Sequence, residues 1–270
     1  MQLLTLYKTI MIKIIKYSIY DLMRSRWNHI YFLFYFILGF VLLFFNNNIS
    51  KSIITLMNII VVLTPLIGTI FGAMYYYSSK EFIMLLLAQP LKRRTIFLGQ
   101  FLGLAISLSL SFVLGIGIPF LSFGVLISYD IFDFISILLV GIVLTFVFTS
   151  ISYNIAIANE NQIKGMGLTI LAWLFMAVIY DGIFLISLLI FEEYPIDYFA
   201  LGSSMLNPID LSRILIILKL DTSALLGYTG AVFQDFFGTQ RGMIITIILL
   251  MLWITAPVLI LNNQIKKKDF

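Results

Sequence analysis

The chain has 270 residues, of which 61% are hydrophobic and 11% are charged, whereas soluble domains are roughly 45–50% apolar and about 25% charged. This apolar excess excludes a water-soluble globular domain. The chain has no cysteine and a single histidine, His29, which excludes disulfides, thiolate metal sites and most histidine-based catalysis. The net charge of +4 fits contact with anionic lipid headgroups better than nucleic-acid binding, because the cations cluster beside apolar segments.

Residues 1–27 precede the first long apolar segment and carry apolar side chains at helical spacing. The expected apolar face holds Ile12, Ile15, Ile19 and Leu22, and the expected polar face holds Lys13, Tyr17, Tyr20 and Arg24. This pattern predicts an amphipathic helix that lies in the cytoplasmic membrane interface and leads into the bilayer. A simple basic anchor is the alternative, and Met11 is an alternative to Met1 as the start residue.

Six long apolar segments follow. As a helix, about 20 apolar residues cross the roughly 30 Å hydrocarbon layer. The segments cover residues 28–45, 53–77, 95–128, 134–158, 165–191 and 243–261. We therefore predict an all-α polytopic membrane protein, with six transmembrane helices in a domain at 28–262 and a basic cytoplasmic tail at 263–270. The first segment is too long for a cleavable signal peptide.

Lysine and arginine concentrate on the cytoplasmic side of membrane proteins. If the amino terminus is cytoplasmic, 13 of the 17 cations lie on that side. These are Lys8, Lys13, Lys16, Arg24, Arg26, Lys80, Lys92, Arg93, Arg94, Lys164, Lys266, Lys267 and Lys268. The far side then holds Lys51, Arg213, Lys219 and Arg241. This bias predicts that both termini are cytoplasmic.

The loop at residues 78–94 joins the second and third segments and reads SSKEFIMLLLAQPLKRR. Ser78 or Ser79 can cap a short helix with Glu81 in its first turn, and Pro90 is expected to end it. A short, partly apolar helix followed by three cations suits a groove on a soluble partner. The alternative is that the cations only fix the orientation of the chain.

Small residues recur at every fourth position of the third segment. They are Gly99, Gly103, Ser107, Ser111 and Gly115. Gly68 and Gly72 repeat the spacing in the second segment. Such ridges predict places where another helix approaches closely.

Asp181 is the only ionisable residue well inside a predicted span. Intramembrane acids usually mark a transport pathway or a buried partner. A single carboxylate makes no proton relay, so we favour a structural role for Asp181, for example a hydrogen bond with a nearby tyrosine or serine, over a transport role.

The last two spans are joined by a long extracytoplasmic stretch at 192–242, and loops of this length usually carry structure or function. Asn207 and Pro208 are typical of a cap followed by a first-turn proline. They begin a short helix with Leu211, Leu215 and Leu218 on one face, and Asp221 and Thr222 can begin a second helix that Gly238 ends. We expect Asp210, Arg213 and Lys219 to be exposed, either on a lid at the outer membrane surface or on a docking platform for an extracytoplasmic protein.

The chain lacks the residues that nucleotide or metal chemistry needs. It contains no G-x-x-x-x-G-K-[ST] motif, so any ATP must be hydrolysed by another polypeptide. No two of the eleven methionines are three or four residues apart, so helical spacing offers no methionine pair for copper. We expect no metal, no cofactor and no enzymatic activity in this chain.

Three stretches together resemble the NosY-type permease, the membrane subunit of the ABC transporter for nitrous oxide reductase maturation, within the type-2 ABC exporter class. They are MIKIIKYSIYDLMRSRW at 11–27, FGAMYYYSSKEFIMLLLAQPLKRRTIFLGQFLGL at 71–104, and NPIDLSRILIILKLDTSALLGYTGAVFQDFFG at 207–238. The resemblance covers nearly everything after Met11.

This resemblance implies the type-2 permease fold in the bacterial inner membrane, a second copy of the chain in a homodimer, and two cytoplasmic ATPase subunits that bind ATP and magnesium. It implies that the ATPase stroke is transmitted by Glu81, Phe82, Leu85, Leu86, Pro90 and Arg93. It also implies that a periplasmic β-helical protein, which helps to supply copper or sulfur, contacts Asn207, Pro208, Asp210, Arg213 and Asp221. A type-2 permease for a lipid, drug or peptide is the first alternative, and a secondary transporter or channel is the second.

Overall fold

The computed structural model describes residues 2–46, 48–191, 197–219, 236 and 238–267, and these residues are all-α with no strand. The helices are α1 (Gln2–Arg24), α2 (Arg26–Asn46), α3 (Ile49–Ser78), α4 (Lys80–Leu87), α5 (Arg93–Ser122), α6 (Ile131–Ala158), α7 (Gln162–Leu174), α8 (Tyr180–Ile190), α9 (Asp197–Met205), α10 (Pro208–Lys219) and α11 (Gln240–Lys267). A π-helical turn, Phe175–Ile179, joins α7 to α8.

Six helical segments are long and apolar enough to cross a membrane, which confirms the predicted number of spans. They are α2, α3, α5, α6, the continuous Gln162–Ser187 segment of α7 and α8, and Arg241–Lys266 of α11. The third span ends at Ser122, earlier than the predicted residue 128. It ends there because Gly124 adopts a left-handed φ of 82°, after which Val125–Ile127 forms a short 3₁₀ turn.

The centre of the bundle is the contact between α3 and α6. Gly72 lies so close to α6 that a Cβ at this position would come within 2.9 Å of the Ser152 Cβ, and Gly68 faces Phe148. Buried apolar side chains, including Ile60 and Leu144, surround this contact. The close approach provides dispersion contacts in lipid, where apolar side chains gain nothing from leaving water.

Helices α1 and α2 pack on the small-residue ridge of α5. A Cβ on Gly99 would clash with Ile14, and one on Gly115 would meet the Tyr35 Cβ at 2.9 Å. Ser111 exchanges hydrogen bonds with Asn28, whose Nδ2 lies 2.9 Å from the serine Oγ. The residue numbers rise together at these contacts, from Ile14 at Gly99 to Tyr35 at Gly115. Helices α1 and α2 therefore run parallel to α5.

This arrangement corrects the predicted apolar face of α1. The side chains buried against α5 and its neighbours are Ile14, Ser18 and Leu22, of which only Leu22 was predicted. Of the other predicted residues, Ile15 and Ile19 are partly buried and Ile12 is exposed. The buried face lies beside the predicted one because its position is set by the glycines of α5. The small Ser18 fits against Gly103, where the larger isoleucines of α1 would not.

The first and last helices meet at one end of the bundle. Ile14 of α1 packs with Leu86 and Ile96, and Ile265 of α11 packs with Ile83 in a neighbouring cluster. We call this the basic end, and the opposite end, which carries the Val125–Ile127 turn, the loop end. Helix α1 and the carboxyl end of α11 therefore lie at the same end of the bundle, while the membrane side of that end stays a prediction.

Candidate functional site

The first candidate site is α4, the short helix between the second and third spans at the basic end. It begins after Ser79, which is the N-cap residue but whose hydroxyl accepts no capping hydrogen bond from the backbone, and it ends at Leu87 before Pro90. Glu81 lies in its first turn, where the helix dipole favours a carboxylate. The predicted helix is therefore confirmed, although backbone geometry rather than a serine hydroxyl forms its start.

One face of α4 is fixed to the bundle. Ile83 and Leu86 are buried, and Leu86 packs against Ile14 of α1 and Ile96 of α5. The ring of Phe82 stacks on Tyr17 of α1 with a centroid distance of 4.6 Å. These contacts attach α4 to the elements on both sides of it, so that a push on α4 would be passed to α1 and α5.

The other face of α4 is exposed and largely apolar. Leu85 is 60% exposed and Met84 is 52% exposed, and Glu81 lies beside them on the same exposed face. Pro90 and Arg93 are also exposed, just beyond the helix. Of the six predicted coupling residues, Phe82 and Leu86 thus point into the protein, while the other four are accessible. Met84 also belongs to this exposed face, but it cannot be recognised from the sequence alone, because the buried face of α4 must first be known.

The second candidate site lies where α10 meets the fifth span. Arg213 of α10 donates from one Nη1 to Asp181 Oδ2 at 2.9 Å and to Asp210 Oδ1 at 3.3 Å. Asn207 donates to the other oxygen of Asp210 at 3.0 Å. We call Asp181, Asn207, Asp210 and Arg213 the hairpin clamp.

The clamp also engages the π-helical turn of the fifth span. Asn207 Nδ2 donates to the carbonyl of Met176 at 2.8 Å, while its Oδ1 accepts from the N–H of Ile209 at 3.1 Å and caps α10. The Tyr180 hydroxyl donates to the carbonyl of Ser203 in α9. π-Turns expose carbonyls that need partners and occur often at functional sites. The predicted cap at Asn207 is thus confirmed, and the same side chain satisfies a span carbonyl.

These contacts place α10 inside the bundle, with α9 packed against it. Met176 lies 14 residues after Gln162, so it is about 21 Å along a span of 26 residues, near its middle. Asn207 at the start of α10 contacts Met176, and Arg213 further along α10 contacts Asp181. Helix α10 therefore runs parallel to the fifth span and leads back towards the loop end. Helices α9 and α10 therefore form a re-entrant hairpin, and its second helix, α10, is covered by α3, α6 and α11, as polar side chains at membrane depth require.

The re-entrant position corrects the predicted exposure of this segment. Asp210 is 7% exposed, and Asn207 and Pro208 are also buried. Arg213 is only partly exposed, and Asp221 lies outside the described residues. The prediction that these residues contact a partner is not tested by this burial, but a partner would reach Asp210 only after the hairpin had moved.

The partner of Asp181 also differs from the one expected. We predicted a tyrosine or serine hydroxyl, whereas the structure provides the guanidinium of Arg213. The structural role that we favoured for Asp181 therefore takes the form of an ion pair between a span and the hairpin. Arg213 is 32 residues away in sequence, and no local spacing links the two.

Both oxygens of Asp210 have partners in the clamp, Oδ1 in Arg213 and Oδ2 in Asn207. The clamp thus combines two carboxyl groups with one guanidinium and one amide.

Neither metal ligands nor relatives give a more specific assignment. Within the described ranges, no group of three or more His, Cys, Asp or Glu residues could hold a metal ion. Comparison with protein-family models finds no match. Comparison with curated proteins also finds no match.

Proposed function

We propose that this chain is the membrane subunit of an ABC transporter. A separate ATPase subunit binds the exposed face of α4 from the cytoplasm and hydrolyses ATP with magnesium, and this chain has no enzymatic activity of its own. The observation that carries the proposal is the exposed apolar pair Met84 and Leu85 on a short helix outside the spans. Exposed apolar side chains beside charged ones are typical of a protein-binding surface.

The two sites suggest how a stroke at α4 reaches the far end of the bundle. Movement of α4 passes to α1 and α5 through Leu86 and Phe82. The α1 and α2 segments lie on the ridge of α5, and α5 packs against α6 and α11 at Phe97, Tyr153 and Leu261. Since α10 packs against α3, α6 and α11, a shift of these helices would change the packing of the re-entrant hairpin against the bundle.

On the resemblance of the three stretches, we propose that two copies of the chain form a homodimer in a bacterial inner membrane, with both termini cytoplasmic. We further propose that the outer hairpin transmits movement to a periplasmic β-helical protein that supplies copper or sulfur for nitrous oxide reductase maturation. The poor spacing of the methionines supports mechanical signalling over passage of copper through this chain.

The hairpin clamp favours one rival function. A secondary transporter uses intramembrane acids that bind and release protons, and Asp181 and Asp210 are two carboxyl groups at membrane depth beside a partly accessible arginine. The rival predicts solute flux driven by a proton gradient without ATP. The ABC proposal predicts no flux from the chain alone.

Substitution of Leu85 by aspartate tests the proposal. The change puts a charge on the exposed face of α4 without disturbing its buried side, so the fold is expected to persist. Binding of the co-purified ATPase subunit should weaken about tenfold or more, because one exposed leucine buried at an interface contributes roughly 1.5–3 kcal/mol. Matched Ile127→Asp, at a residue 92% exposed at the loop end, should leave binding unchanged.

Two results would count against the ABC proposal. One is that no nucleotide-binding subunit forms a stable complex with the wild-type chain. The other is that Leu85→Asp and Ile127→Asp have the same effect on binding and on ATP hydrolysis, since α4 would then have no special role.

A further inference from the structure

A cleft of about 550 Å³ lies at the basic end between α1, the start of α2, the end of α3 and α4. Its floor consists of the buried side chains of Leu22, Phe71 and Tyr75. Ligand sites commonly have volumes of roughly 300–1,000 Å³. The cleft is therefore a true recess, large enough for part of an amphipathic molecule.

The cleft crosses the boundary between the membrane interior and its polar surface. Phe71 lies seven residues before Ser78, the last residue of α3, so it is about 10 Å deep from that end. Trp27, at the rim, belongs to the first turn of α2 and is largely exposed. Tryptophan prefers the headgroup level of a bilayer. The apolar floor is thus at acyl-chain depth and the rim at headgroup depth.

The rim carries one charge of each sign. Asp21 and Arg24 of α1 both line the cleft and are exposed. Among the described residues, neither Asp21 nor Arg24 forms a salt bridge, so both charges are available to a ligand. Tyr17 and Trp27 stand beside them. An ammonium group is attracted by a carboxylate and by the faces of aromatic rings. A phosphate forms charge-assisted hydrogen bonds with an arginine.

We infer that this cleft binds a membrane phospholipid with an ammonium headgroup. The phosphate contacts Arg24, the ammonium contacts Asp21 and the neighbouring rings, and an acyl chain lies along Phe71 and Met74. The inference needs only the membrane position of the six spans and does not depend on the ATPase. Because Phe82 of α4 also lines the cleft, the lipid would contact α1, α3 and α4 together, and its binding would stabilise the attachment of α4.

Native mass spectrometry of the full-length chain, exchanged into equal amounts of phosphatidylethanolamine and phosphatidylglycerol with identical acyl chains, tests the inference. We expect the ethanolamine lipid to be retained in preference. Asp21→Asn should lower its retention about fivefold through loss of one charge-assisted contact at a partly solvated site. Lys16→Gln, at an exposed position on α1 outside the cleft, should have no effect.

A second variant tests the recess itself. Met74→Trp fills the floor and should displace both lipids, and thermal unfolding of the variant in detergent verifies that it is folded. The inference is overturned if phosphatidylglycerol is retained as well as phosphatidylethanolamine, if Asp21→Asn behaves like Lys16→Gln, or if folded Met74→Trp retains the lipid. Each of these results would assign lipid retention to general attraction by the basic end.

Discussion

Arg213→Met removes the cation that joins the hairpin to the fifth span while it keeps a side chain of similar length. Asp181 and Asp210 would then face each other without the guanidinium that contacts both, at 2.9 and 3.3 Å. Removal of one partner from a buried ion pair costs about 3–5 kcal/mol. Since Arg213 and Asp181 keep 29% and 24% of their side-chain surface exposed, we expect a smaller loss of about 2–3 kcal/mol.

Thermal unfolding of the purified chain in detergent measures this loss, and Tm should fall by about 5–10 °C for a chain of this size. Arg241→Met is the matched control, because Arg241 is an exposed arginine at the start of α11. In an Asp181→Asn, Asp210→Asn background the arginine substitution should cost about 1 kcal/mol or less, since the carboxylates that it neutralises are absent. Equal Tm values for Arg213→Met and Arg241→Met would refute the clamp as a stabilising contact.

Two further changes have expected outcomes that follow from the structure. Gly103→Ala should destabilise the chain by about 1–3 kcal/mol, because the added Cβ would clash with Ser18. Gly117→Ala is the control, because its Cβ would have no neighbour within 4 Å, and it should stabilise the chain by about 0.5–1 kcal/mol. Equal effects of the two substitutions on Tm would contradict the packing of α1 on α5. Asn207→Ala should lower the unfolding free energy by about 2 kcal/mol in the same assay, because the Met176 carbonyl loses its donor and the Ile209 N–H at the start of α10 loses its acceptor. An unchanged Tm would show that water replaces both hydrogen bonds.

Features encoded by local pattern were predictable from the sequence. Each span is a long apolar run, and the ridge of α5 follows from small residues at one spacing. The start of α10 at Asn207 and Pro208 and the end of α4 before Pro90 also depend on neighbouring residues alone. These elements were placed correctly because their causes lie within one or two helical turns.

Features that depend on distant contacts were not predictable. The segment PIDLSRILIILK has the charge and apolar pattern of a surface helix, and its burial depends on Asp181, which lies 32 residues away from Arg213. The buried face of α1 likewise depends on glycines in α5. A periodic pattern defines which residues share a face, but the partner helix decides which face is buried.

The absence of cysteine allows one measurement that tests the central claim directly. Ser212 is fully buried on α10. Ser212→Cys introduces a single thiol that a membrane-impermeant maleimide can reach only when the hairpin moves away from the helices that cover it. In vesicles that contain the chain and its ATPase subunit, we expect ATP to accelerate labelling, and Leu85→Asp to abolish the acceleration. Labelling that responds to a proton gradient but is unchanged by the ATPase and ATP would contradict the account and favour the secondary transporter.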